Sequence, residues 1–213
     1  VCIVYNQSIH LSRQGRLSMF ETEEQEQKTA EEQPKFNFQE KMMETRTLLI
    51  FGEIDQKMAE RVTQQLILLS ALSQDDIKII INSQGGHVES GDTIFDMIRF
   101  VTPKVKIIGT GWVASAGALI YAAVPVEQRY SLPNTRFLLH QPLGGIRGSA
   151  QDLAIEAKEI LKMRRRLNEI FAQQTGQPLE KIERETDRNL WMSAEEAKAY
   201  GLVGQIVNRF DEV

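Results

Sequence analysis

Three features at the ends of apolar runs have the types and order for acyl transfer. Ser115 lies in GTGWVASAGALIYAA (109–123), among glycine, alanine and large apolar residues. His140 closes the run RFLLH, and Gly85 and Gly86 close IKIIINSQGG. A serine nucleophile needs a base to take its proton, a group to orient that base, and N–H donors for the oxyanion. His140 is the obvious base. Of the other two histidines, His10 lies in the polar N-terminal region and His87 adjoins the glycine pair. If Ser115 opens a helix, the Ala116 N–H points outward as one oxyanion donor. Gly86 can supply a second, because glycine allows close backbone approach. Each residue also has a plain structural reading: a small core serine, a turn, a hydrogen-bonded core histidine. Residue types alone leave both readings open.

These residues need elements to bring them together. TLLIF (47–51) reads as a short buried strand ending at Gly52. Residues 55–72 have helical spacing, with Asp55 as N-cap and Met58, Val62, Leu66, Leu69 and Leu72 on one face. Further strands are expected at 77–82, 104–109 and 136–140. Helices are expected at 88–101, 116–123, 150–174, 178–187 and 194–200, the first with Ile94, Met97, Ile98 and Val101 inward. Strands alternating with helices indicate an α/β fold. Open α/β sheets gather sites at the carboxyl ends of strands. Gly86, Ser115 and His140 all stand at such ends, so they are expected to converge.

Composition narrows the function. The chain has 213 residues, 42% hydrophobic and 25% charged, which suits one domain with a sizeable core. A net charge of −4 argues against nucleic-acid binding. The single cysteine, Cys2, excludes an internal disulfide and favours a reducing, cytoplasmic setting. No apolar stretch approaches a membrane span. The histidines are scattered without ligand spacing, so no metal is expected, and no phosphate-binding glycine loop is present. ETEEQEQKTAEEQPK (21–35) carries no aliphatic residue except one alanine. Residues 1–35 are therefore expected to form a disordered acidic tail, with Met19 an alternative start, ahead of a domain over 36–213.

INSQGGHVESGDTIFDMI, ASAGA, LPNTRFLLHQPLGG, QDLAIEAKEIL, TGQPLEKIERETDR and SAEEAKAYGLV together resemble the proteolytic subunit of the Clp protease, ClpP. The likeness covers roughly residues 41–207. It implies a crotonase-like fold of β-β-α units with a long handle helix. It also implies heptameric rings stacked as a two-ring tetradecamer with its active sites inside. Such a barrel is a serine endopeptidase on short peptides without ATP, and degrades proteins fed by an AAA+ unfoldase of the ClpX or ClpA/ClpC type. No cofactor is implied; ATP is used by the partner. The resemblance makes Ser115 the nucleophile, His140 the base, and Gly86 and Ala116 the oxyanion-hole positions. It assigns the handle to the helix from Ala150 and a strand over 143–149, and makes Asp187 and Arg188 a charged pair between rings. The unfoldase-docking groove maps to Lys78, Ile80, Ile108, Thr110, Tyr130, Leu132 and Val207. A crotonase-type acyl-CoA enzyme on the same fold lacks a basic site for the CoA phosphates.

Four departures qualify what the resemblance implies. The third triad position, Asp in the family pattern, is Asn189. A neutral amide brings no charge to stabilise the imidazolium, and its NH2 can select the wrong histidine tautomer. In the archetypal serine protease the same change lowers kcat about 10,000-fold. Cysteine proteases use Asn, but a thiol ionises far more easily than a hydroxyl. Asp187, two residues away, is expected to face elsewhere. Lys78 and Thr110 replace aromatic and apolar groove positions, and an ammonium under an apolar loop is costly unless it snorkels out. The family's N-terminal gate motif is absent. Gln84 stands where proline is usual, so the SQGG loop is expected to be freer. The expected protein is a peptidase subunit, weak alone and stronger beside a fully equipped second ClpP paralogue. The alternative is a structural or regulatory subunit with little catalysis of its own.

Overall fold

The computed structural model describes residues 37–142 and 148–213. The tail over 1–35 and the start of the strand expected over 143–149 lie outside these residues. Residues Gln39–Val213 form one compact unit. A short helix α1 (Phe38–Glu44) leads into β1 (Thr47–Ile54). Helix α2 (Gln56–Leu72), β2 (Ile77–Gly86), α3 (Val88–Phe100), β3 (Val105–Ala114) and α4 (Ala116–Tyr121) then alternate. After a 3-10 turn come β4 (Arg129–Ser131) and β5 (Arg136–Leu139). The long helix α5 (Ala150–Thr175), α6 (Leu179–Glu185), β6 (Leu190–Ser193), α7 (Ala194–Ala199) and β7 (Gln205–Ile206) complete the fold.

Strands β1, β2, β3, β4 and β7 lie side by side in that order, all parallel. Strand β3 forks. Ile107–Gly109 pair with β4, whereas Trp112–Ala114 pair with β5, which in turn pairs antiparallel with β6. The turn of the fork is Gly111, whose φ of 60° is open to glycine at little cost. A Cβ there would meet the Asn82 amide at 2.9 Å. The fork carries the end of β3, and Ser115 just beyond it, toward His140 at the end of β5.

The alternation of β1 and β2 sorts side chains to two faces. Leu48, Ile50, Ile77, Ile79 and Ile81 turn into the helical layer, where Val62, Leu66, Leu69 and Ile94 bury fully. Asp55 caps α2, accepting from the Met58 N–H at 2.8 Å. Leu72 was expected on the buried stripe but is 65% exposed. At 100° per residue it falls about 40° outside the arc spanned by Met58, Val62, Leu66, Leu69 and Ala59. Met97 and Val101, expected inward, are only partly buried and pack at the core's edge.

The first three strands run further than their apolar patterns. β2 continues through the SQGG segment and β3 through TGWVA, with register breaks at Ile81/Ser83 and Phe51/Glu53 absorbing the glycines. Ladder bonds are backbone bonds, so a strand extends wherever a neighbour presents its edge, whatever the side chains. The short β4, β6 and β7 were not expected. Two to four residues are too few to show a period.

Candidate active site

Ser115 is built into a strained turn. Its φ of 55° and ψ of −122° make it one of two non-glycine residues with positive φ among those described; Arg46 is the other. Such strain costs about 1–3 kcal/mol and persists only where neighbours over-determine it. The neighbours here are backbone. The Ser115 N–H donates to Leu138 O at 2.9 Å, tying the turn to β5. A Cβ on Gly85 would stand 2.6 Å from the Ser115 Cβ, and one on Gly117 would stand 3.2 Å from Ser83 O. Ser115 O caps α4 by accepting from Ala118 and Leu119. The serine side chain is thereby presented at the strand-to-helix junction.

The backbone also sorts the oxyanion donors. The Ser115 N–H is spent on Leu138, and the Gly85 N–H donates to Ser83 Oγ at 3.0 Å. Ala116, in the first turn of α4, has no acceptor within its own helix. On the opposing strand end, the Gly86 Cα lies against β1, where a Cβ would meet Ile54 O at 2.3 Å. The adjacent His87 N–H donates to that oxygen at 2.8 Å. Gly86 is thus held in place by β1, and no other residue fits there.

Ser115 and His140 line one narrow cavity with Val88, Leu139, Leu167 and Phe171. Its free volume is about 10 Å³, room for one water-sized group. His140 is partly buried, and desolvation pulls its pKa below the ordinary imidazole value. A side-chain hydrogen bond with Asn189 pushes back upward. Asn189 thus stands beside the ring and brings no charge to it.

What brings Asn189 there is a clamp that sequence reasoning missed. Gln141, next to His140, donates its backbone N–H to Thr186 O and its side-chain amide to Asp187 O, both at 2.8 Å. Thr186 is buried and donates to Asn168 Oδ1 on α5 at 3.0 Å. The clue in sequence was a glutamine directly after His140, with no signal for its partners some 45 residues on. Asn189 itself is exposed.

Asp187 does not replace it. It lies in the turn after α6 and pairs with Arg164 of α5 at 3.1 Å. Its contact with Arg188 is long, 3.9 Å, and the Arg188 side chain is 90% exposed. Arg188 thus remains available beyond this chain, while Asp187 is partly engaged within it.

The groove positions form a cross-strand row on the sheet face away from the helices. The register places Leu49, Ile80, Ile108 and Tyr130 side by side. Ile108 and Val207 are buried, whereas Ile80, Thr110, Tyr130 and Leu132 are partly exposed. Lys78 swings out of the row and lies over the Phe210 ring, 4.0 Å from its centroid. The cation is thereby half-satisfied without entering the apolar row. Gln84 departs from expectation. With its amide assigned in the orientation that satisfies both ends, it donates to Gly52 O at 3.3 Å and accepts from the Glu53 N–H at 3.1 Å, tying SQGG to β1 rather than freeing it.

Among the described residues no group of three His, Cys, Asp or Glu could hold a metal ion. No helix among them is long and apolar enough to cross a membrane.

The fold agrees with the comparisons to known proteins. The Clp protease family profile matches residues 30–210. ATP-dependent Clp protease proteolytic subunit 3 of Rhizobium meliloti is 60% identical over 172 residues, 81% of this chain and 88% of the relative. Subunit 2 of Pseudomonas aeruginosa is 58% identical over 165 residues, 78% of this chain and 82% of the relative. The structure of ClpP1 from Listeria monocytogenes superposes with a TM-score of 0.75 at 53% identity, covering 83% of this chain and 99% of that one. An Asn-to-Asp point mutant of the same ClpP1 gives 0.78 at 54% identity, covering 82% of this chain and 98% of the mutant. With the profile spanning most of its length and relatives matched nearly end to end, this chain belongs to the Clp protease family.

Proposed function

We propose that this chain is a serine-type peptidase subunit, weakly active by itself, that works in a two-ring barrel beside a second subunit with a full triad. The observation that carries the reading is the Ser115 turn: a strained nucleophile held against Gly85, sharing a cavity with a neutral imidazole beside Asn189. Ser115 Oγ attacks the peptide carbonyl carbon while His140 takes its proton. Ala116 and Gly86 N–H groups receive the charge on the carbonyl oxygen. The C–N bond then breaks as His140 returns the proton to the leaving amine, and a water activated by His140 releases the acyl group. The imidazolium formed at each step faces a neutral amide instead of a carboxylate, so each transition state lacks one ionic stabilisation.

Assembly into heptameric rings is supported by apolar side chains left bare on the isolated chain. Leu153, Ile155 and Leu161 on the first half of α5, and Ile67, Leu68 and Leu72 on α2, are all exposed. Arg188 is free to pair across rings. The outer sheet row is the docking face for an apolar loop of an AAA+ unfoldase, which alone uses ATP. Lys78 and Thr110 weaken that docking, so a partner ring supplies the stronger surface. The numbered relatives, subunits 2 and 3, support the presence of several such subunits in one cell, and we place their work in the cytoplasm. The competing reading, a structural subunit, draws on the neutral, exposed Asn189. A fluorophosphonate probe separates the two: labelling of Ser115 in the lone protein supports the peptidase, and no labelling supports the structural subunit. A fluorogenic peptide assay on the wild type and Asn189→Asp then tests the weakness. Equal, brisk rates in both would end the case for a partner-dependent subunit.

A further inference from the structure

The C-terminal turn crosses the outer face of the sheet. Beyond β7 the Val207 N–H donates to Ser131 O at 2.9 Å, and Phe210–Glu212 form a 3-10 turn. The Phe210 ring lies 4.0 Å from Lys78 Nζ on β2, although β4 and β3 stand between β7 and β2. The register fixes the path between them. Ile206, Ser131, Gly109 and Ile81 are level, so Val207 is one residue past that level and Lys78 three before it. Lys78 is therefore about 14 Å across and about 13 Å back from Val207. Only Asn208 and Arg209 separate Val207 from Phe210, which leaves no slack for a detour. The direct line runs over β4 and β3 near Tyr130 and Ile108. The burial of Ile108 agrees: it belongs to the row turned away from the helices, yet it is only 5% exposed.

The turn is tied to itself and not to that face. Arg209 makes two bonds to Asp211, at 3.0 and 2.8 Å. The Asn208 N–H donates to the Glu212 carboxylate, the Glu212 N–H to Arg209 O and the Val213 N–H to Phe210 O. Among the described residues, every hydrogen bond and ion pair of 208–213 stays within the segment. Lys106, level with Lys78 on β3, is engaged by Asp76 at 3.0 Å. The polar hold on the turn is thus the Lys78 ammonium on the Phe210 ring. That ring is 58% exposed, and a cation–π pair in water shifts an equilibrium only about two- to five-fold.

We propose that the C-terminal turn is a built-in cover for the outer apolar row, latched by Phe210 on Lys78, and that an apolar partner loop has to displace it. The proposal rests on the reading of that row as a docking face, and adds what controls access to it. A turn closed by its own bonds lifts as a unit about Asn208, because no hydrogen bond to the sheet has to break.

The test titrates a fluorescein-labelled apolar peptide, Gly-Ile-Leu-Phe-Gly, into the full-length protein and follows its anisotropy. Phe210→Ala is expected to tighten binding about three- to five-fold and Lys78→Gln about two- to five-fold, while Phe210→Tyr, which keeps the ring, stays near wild type. Binding unchanged or weakened by Phe210→Ala overturns the proposal, because the ring is then a bystander or a wall of the groove. A second readout needs no partner. In a Cys2→Ser background, Ile108→Cys is alkylated by N-ethylmaleimide with and without Phe210→Ala. Reaction about two- to five-fold faster without the ring supports the cover, and equal rates overturn it. If no variant binds the peptide while alkylation still quickens, the docking reading falls and the cover stands.

Discussion

The catalytic corner and the outer face of the sheet are built by different means. At the corner, backbone packs on backbone: Gly85 against Ser115, Gly86 against Ile54, Gly117 against Ser83, each within 3.3 Å of where a Cβ would stand. At Gly85 and Gly86 nothing larger fits, Gly117 is tight, and the strained Ser115 is held by its neighbours. On the outer face only side chains meet. Lys78 can take an apolar position there because it turns aside onto Phe210, and Thr110 stands in the same row at partial exposure. Steric closure at the backbone forbids substitution, while a side-chain surface absorbs it. Ser115 and its glycine neighbours are thus fixed by backbone closure, whereas Lys78, Thr110 and the exposed Asn189 stand where the backbone does not dictate the side chain.

The sharpest test of the contrast is Ser115→Ala. Peptide hydrolysis should fall by about 100-fold or more from its already weak level, with unfolding unchanged. Retained turnover would move the active site elsewhere. Next in size, Gly86→Ala drives a Cβ into Ile54 O and should cost about 3 kcal/mol or more in denaturant unfolding. Ile80→Val on the outer face should cost about 1 kcal/mol. Similar costs for both would erase the distinction between the regions.

Asn189→Asp restores the missing charge and should raise kcat about 10- to 100-fold. It also carries a pH signature. Burial holds the His140 pKa below the ordinary value, so the acid limb of kcat/KM in the wild type should fall below about pH 6.5. A carboxylate beside the ring favours its protonated form, so the limb in Asn189→Asp should move to higher pH as the rate rises. A rate gain with the limb unmoved would mean that the new carboxylate does not act on His140. The smallest expected effect is on the outer face. Lys78→Leu should tighten binding of an unfoldase or its apolar loop peptide about five-fold, and lower stability by less than about 1 kcal/mol. Unchanged binding would show that Lys78, parked on Phe210, never obstructed the groove.

Much of this could be read along the chain. The α/β alternation, the Asp55 cap, the helix periods and the small residues at the ends of β2 and β3 are all local signals. Each depends on neighbours within a turn or a strand length. Convergence of Gly86, Ser115 and His140 followed from their common place at strand ends. The third residue did not. Asn189 follows a segment that Gln141, next to His140, holds through Thr186 and Asp187, and nothing near Gln141 in sequence points to them. The left-handed turn at Ser115, the fork of β3, the retreat of Lys78 onto Phe210 and the tether of Gln84 were likewise invisible. Periodicity and propensity act between residues close in the chain, so they specify elements and the residues at their ends. Hydrogen-bond partners tens of residues apart are chosen only when those elements pack, and in this molecule that choice set the geometry of the base and the fate of the groove.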